Sequence, residues 1–133
     1  MATLREVREA IADTLASEFG ASASVEDRPP DNITTPAIIV GGIEWQDQAM
    51  GGGRQSQVSV WVVVSRKHSA FIDELDRLCD PDESTSVPAA INADPTLGDV
   101  VDSCRVVRAG DYRDLQIASI DYYAATIELE VFH

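Results

Sequence analysis

Hydrophobic residues in the first segment recur every three to four positions. In LREVREAIADTLAS, Leu4, Val7, Ile11 and Leu15 share one face, with Arg5, Arg8, Glu9 and Asp13 mostly off it. That spacing predicts a helix over 3–19. Thr3 followed by Glu6 fits a capping box, in which each side chain satisfies a backbone N–H at the helix start. Gly20 stands where a left-handed residue would end it.

Beyond Gly20 the period changes. A short strand is expected around Val25, and DRPPDNITTP (27–36) reads as a loop because its prolines and Asp-Asn favour turns. AIIVGGIEW (37–45) is a strand whose apolar run predicts burial on both faces, with a bulge at Gly41-Gly42. Residues 46–56 have no periodicity and hold three consecutive glycines, which predicts a mobile loop or hairpin tip. QVSVWVVVSR (57–66) alternates, with Val58, Val60, Val62 and Val64 on one face and Ser59, Trp61, Val63 and Ser65 on the other.

SAFIDELDRLCD (69–80) returns to helical spacing, with Phe71, Ile72, Leu75, Leu78 and Cys79 in one stripe and Ser69 as the expected cap. Ser86 is placed to cap a short second helix with Pro88 in its first turn, running through Ala89, Ala90 and Ile91. VVDSCRVVRA (100–109) reads as a strand, GDY (110–112) as a turn, and DYYAATIELEVF (121–132) as a cleanly alternating last strand. The order is helix, three strands, one or two helices, two strands. It predicts one α+β domain over 1–133: a mainly antiparallel or mixed sheet of four to five strands. The N-terminal helix and one or two further helices should pack on one face of that sheet.

Charge narrows the function. Ten basic residues against twenty-three acidic ones give −13, which argues against gripping nucleic acid through its phosphates. The acids are dispersed along the chain, so no acidic tail is indicated. No apolar run approaches the roughly 20 residues a membrane span needs. The N-terminus lacks a basic segment followed by an apolar block, which predicts a cytoplasmic protein. Nine of the ten basic residues are arginine, the side chain best suited to pairing with a neighbour's carboxylates. Arg5, Arg8, Arg54, Arg105 and Arg108 are the candidates.

Candidate chemistry is sparse. GGGR (51–54) has no following GK[ST] and opens no helix, so it does not read as a phosphate loop. Conformational freedom at Gly51, Gly52, Gly53 and Arg54, flanked by Trp45 and Met50, suits an adaptable contact instead. DPDES (80–84) would need a glycine and a glutamate where Thr85 and Ile91 stand, so a solvated acidic loop is favoured over a calcium site. His68 beside Ser69 lacks a nucleophile elbow. Cys79 and Cys104 sit in no CxxC pair and read as free thiols. Asp94, Asp99 and Asp102 surround the proline and glycine of ADPTLGDVVD. They are either the acids of a small ligand or metal module or simply a corner, with Leu97 as plug and Gly98 at positive φ. The corner is the favoured reading, and no catalytic residue, cofactor or metal is predicted.

That corner also carries a family resemblance. AINADPTLGDVV followed by a strand, a turn and a terminal alternating strand resembles the tail terminator (tail completion) proteins of long-tailed bacteriophages. The leading helix LREVREAIADTLAS, the strand PAIIVGG, and QVSVWVVVSR followed by AFIDELDRLC agree in order. The likeness spans nearly the whole chain; TLG is its one moderately specific motif, and Asp99 stands where a second glycine is common. It implies a non-enzymatic virion protein assembled in the host cytoplasm. Six copies would form a ring that caps the tail tube, stops its polymerisation and presents a surface to the head–tail connector or stopper. The related alternative is another neck component of similar fold. A domain of this length is about 35 Å across, so six in a ring leave an opening of about that width. DNA would pass through without being specifically bound, which an acidic subunit suits.

Overall fold

A computed structural model describes residues 2–20, 22–30, 32–47, 53–67, 69–117 and 119–133. Its elements are α1 (Leu4–Phe19), β1 (Ser24–Glu26), β2 (Ala37–Asp47) and β3 (Arg54–Ser65), then α2 (Phe71–Cys79), α3 (Val87–Ala93), β4 (Ser103–Ile117) and β5 (Ile120–Phe132). The strands form a five-stranded sheet in the order β1-β2-β3-β5-β4. β1 runs parallel to β2, and every other pairing is antiparallel. The α+β class is as the periodicities predict.

The helices lie on one face: α1 against β1, β2 and α3, α2 against β3 and β5, and α3 against β4. Beneath them Val7, Ile11, Leu15, Leu75, Ile91, Val60, Val62, Ile127, Leu129 and Val131 are all 0% exposed. Fully burying one such side chain contributes about 1.5–3 kcal/mol, so this face supplies most of the drive to fold. β5 shows why the alternation is decisive: Ala125, Ile127, Leu129 and Val131 enter the main core, while the residues between them point to the other face. β2 is buried on both sides, with Ile38 and Val40 in the main core and Ala37 and Ile39 in a second, smaller cluster. The ladder between β2 and β3 slips between Val40 and Ile43, which places a bulge at Gly41-Gly42.

Two of the three helix starts, those of α1 and α3, use the expected side chains. Thr3 Oγ1 accepts from Glu6 N at 3.1 Å while Thr3 N donates to Glu6 Oε1 at 3.2 Å. The backbone hydrogen bond to Thr3 holds the Glu6 carboxyl below its usual value. Ser86 Oγ accepts from Ala89 N and donates to Glu83 O.

Five local expectations differ. Gly20 is right-handed (φ −56°), and α1 closes through Gly20 N donating to Ala16 O. Ser69 caps nothing: α2 starts after Ala70, with no side-chain cap, and Ile72 stays 46% exposed at the margin of the apolar stripe. The loop expected over 46–56 is overturned at its two ends, since β2 continues to Asp47 and β3 starts at Arg54; residues 48–52 lie outside the described residues. Those extra rungs pair residues such as Gln46 with Gln55, and backbone hydrogen bonding needs no apolar period. Residues 100–102 precede β4 as turn and bend.

Finally, residues 110–112 do not reverse the chain. They lie inside β4, where the register slips between Gly110 and Arg113 and Asp111 is left-handed (φ 57°). A glycine and an aspartate serve a bulge as readily as a turn. The reversal lies between Ile117 and Ile120.

Candidate functional site

The corner after α3 is built from its own side chains. Asp94 caps α3, and its Oδ2 accepts from Gly98 N at 3.1 Å. Asp99 N donates to Thr96 Oγ1 at 3.3 Å, and the Thr96 hydroxyl lies 3.4 Å from both Asp94 Oδ1 and Asp99 Oδ1. Leu97, Gly98 and Asp99 are successively left-handed, with φ of 52°, 72° and 66°. Leucine pays a steric penalty for that conformation, and the 2% exposure of its side chain shows the compensation: Leu97 plugs the main core. Asp102 stands apart, its backbone N–H donating to Phe132 O at 2.8 Å. Among the described residues no three His, Cys, Asp or Glu are placed to hold a metal ion. The carboxylates of Asp94 and Asp99 organise a corner.

The other acidic stretch is similar. Asp80 Oδ1 accepts from Asp82 N at 2.9 Å, a local turn contact. His68 lies outside the described residues. The thiols of Cys79 and Cys104 are buried and free, and burial pushes them up to about 11 and about 12 respectively.

The interface candidates separate into two places. Trp45, 51% exposed, sits near the end of the β2–β3 hairpin at which Asp47 pairs with Arg54, with the Arg54 guanidinium 4.5 Å from its ring centre. Gly53 is half-buried beside them. Met50, Gly51 and Gly52 lie outside the described residues. Arg105 and Arg108 are on β4, with β5 and β3 between them and the hairpin's outer strand. They reach their own chain's glutamates, Glu130 at 3.0 Å and Glu128 at 3.2 Å. Arg8 is likewise engaged internally, donating to the carbonyls of Asp27, Val40 and Gly41. There the guanidinium ties α1 to the outer side of β2.

Two features escaped the periodicities. One is the open face of the sheet beyond β2, whose burial on both sides its apolar run predicts. Ala37, Ile39, Val63, Tyr122 and Ala124 form the small cluster there, with Ile33 and Leu115 packed against it. Trp61 lies over Gly41, where an added Cβ would come within 3.0 Å of its ring, so only glycine lets the indole lie that close to β2. A cavity of about 470 Å³ opens between Trp61 and the Pro29-Pro30 segment.

The other is a buried polar tie. Ser56 is 0% exposed and His133 4%. His133 Nδ1 lies 2.8 Å from Ala2 O, and Nε2 lies 2.7 Å from Ser56 Oγ. Ala2 O can only accept, so Nδ1 carries the proton; in the neutral ring Nε2 then accepts from the Ser56 hydroxyl. With Ser56 sealed from solvent, this serine–histidine pair joins the two ends of the described chain to β3. Ser56 falls in the segment 46–56, which has no periodicity, so the sequence gives no signal of that partnership.

No helix among the described residues is long and apolar enough to cross a membrane. No family model and no curated protein matches the chain. Among solved structures it is similar to a chain in the virion of a native gene transfer agent (GTA) particle, at 15% identity and a TM-score of 0.46, covering 96% of this chain and 95% of that one. Overlap at that level carries no functional argument.

Proposed function

We propose that this chain is a non-enzymatic structural subunit of a phage-type tail, and specifically a tail terminator whose ring caps the tube and offers a surface to the head–tail connector. The observation that carries this reading is the ADPTLGD corner. The segment on which the family resemblance rests is a left-handed Leu97-Gly98-Asp99 turn whose Leu97 plugs the main core. The arrangement of elements around the corner agrees with the resemblance in order, from the leading helix to the terminal alternating strand.

The acidic balance of −13 suits a subunit around a channel through which DNA passes without sticking. A head-to-tail ring needs two different complementary surfaces per subunit. Trp45 on β2 beside Arg54, and the open sheet face around Arg105 and Arg108 where they pair with Glu130 and Glu128, are the pair we assign; β3 and β5 separate Trp45 from the two β4 arginines. Self, the tail tube protein and the connector or stopper are the partners in this reading, and the location is the head-proximal end of the tail.

Imaging the protein mixed with purified tail tubes tests it. Density confined to one tube end, with mass measurements giving a closed ring, is the expected result. Density along the tube, or at neither end, would overturn the terminator role. Deleting Gly51 to Gly53 should abolish ring or tube binding while leaving the monomer folded. Arg54 is kept, because its backbone exchanges hydrogen bonds with His133.

A further inference from the structure

β4 is the terminal strand of the sheet, fifteen residues long, and among the described residues its only ladder partner is β5. Its outer backbone edge from Val106 to Ala109 forms one wall of a groove of about 620 Å³. α2 and α3 form the other wall, so they flank the edge without closing over it. Tyr112 OH donates to Asp76 Oδ1 at 2.6 Å, which fastens β4 to α2 across the groove. An unpaired edge of this length is a template for strand addition, and proteins usually cover or blunt such edges. Here a bulge between Val106 and Arg108 bends the edge and leaves Val107 52% exposed. That irregularity disfavours long sheet-to-sheet pairing and leaves room for a short segment.

The charge of the groove selects its occupant. Asp76 and Asp80 line it at the C-terminal end of α2, where carboxylates oppose the helix dipole and, four residues apart, each other. Arg108, on the opposite wall, is engaged by Glu128. A cationic side chain entering between these walls meets complementary charge, and an acidic one is repelled. We propose that this groove binds a short extended segment of a partner protein, bearing lysine or arginine, as an added strand along β4. The argument does not depend on the ring reading.

The test uses the full chain labelled with ¹⁵N and a blocked heptapeptide alternating valine with lysine as the probe. Amide shifts concentrated at residues 106–110 are expected. Two further peptides serve as controls: one with alternate backbone nitrogens methylated, and one with glutamate replacing lysine. Both should lose binding. Asp80→Asn keeps the acceptor for Asp82 N, and should weaken the lysine peptide about three- to five-fold at low salt, the size expected of one exposed charge pair.

No binding at millimolar peptide would overturn the proposal. So would equal binding of the methylated or glutamate peptide, shifts confined to β2, or self-association that perturbs the same amides without peptide. The last outcome would make a second copy the occupant.

Discussion

On β3, Val58, Val60, Val62 and Val64 are at most 1% exposed beneath the helices, whereas Trp61, between two of them, is 36% exposed on the other face. The same strands therefore present two different surfaces. The helix side is continuous, apolar and closed by three elements. The open side has the small cluster around Val63 and Ala124, a cavity beside Trp61, and beyond them the ion pairs of Arg105 and Arg108 with Glu130 and Glu128. Folding accounts for the first surface. The second mixes a small apolar cluster with surface charges.

Mutations at the centre of each face test that division most strongly. Leu129→Ala, at a fully buried position, should cost about 2–5 kcal/mol in urea unfolding. Trp61→Ala should cost less than half as much, despite removing a larger side chain, because part of the indole is already in water. Equal losses would mean that the open face is a second core.

Ser56→Ala probes the edge between the two regimes. It removes no apolar contact of size but strands His133 Nε2 in a buried site, so a loss of about 1–3 kcal/mol is expected. A loss under about 0.5 kcal/mol would show that the tie to Ala2 alone holds the terminal histidine.

The chain advertised the closed face far better than anything else. Helical spacing at Val7, Ile11 and Leu15 and alternation from Tyr123 to Val131 both follow from one-sided burial, which any isolated segment must encode. The capping box at Thr3 and the bulge at Gly41-Gly42 were legible because each depends on residues adjacent in sequence. Tertiary partners were not. Nothing in GDY distinguishes a bulge within β4 from a turn, since that depends on whether β5 continues alongside. Ser69 has the right chemistry for a cap, but α2 begins two residues later. Ser56, His133 and Ala2 meet only after β3 and β5 have paired, and the groove beside β4 exists only because α2 and α3 stand back from it.

The thiols offer a subtler contrast, since both belong to the closed side. Burial raises Cys79 and Cys104 from an ordinary 9.0 to about 11 and about 12. Folding thus favours the protonated thiols, and this contribution is full below about pH 9 and is lost as pH rises from there toward the folded values. By pH 9 the two together should have lost roughly 1 kcal/mol, from half-ionisation in the unfolded chain. A Cys79→Ser, Cys104→Ser variant should lack that part of the pH dependence between 8 and 10. In the native protein at pH 8 a disulfide-exchange reagent should react slowly with both thiols, and rapidly once urea unfolds the chain. Fast native reaction at Cys79 would show that α2 opens beside the β4 groove.

The smallest folding effect is expected from the charges of the open face, and for that reason it sharpens the comparison most. The side chains of Arg105 and Arg108 are 68% and 66% exposed, and such surface pairs contribute about 0–1 kcal/mol. Arg105→Ala and Arg108→Ala should therefore each leave the urea midpoint almost unchanged, with a loss under about 0.5 kcal/mol. If these arginines serve assembly, the same variants should reduce the ring fraction seen by mass measurement, most clearly at low salt where charge contacts are least screened. Stability and assembly would then separate on one face while moving together on the other, where Leu129→Ala loses both. Should the arginine variants assemble normally, their glutamate pairs are only surface charge, and the ring contacts must be sought at Trp45 and the hairpin end.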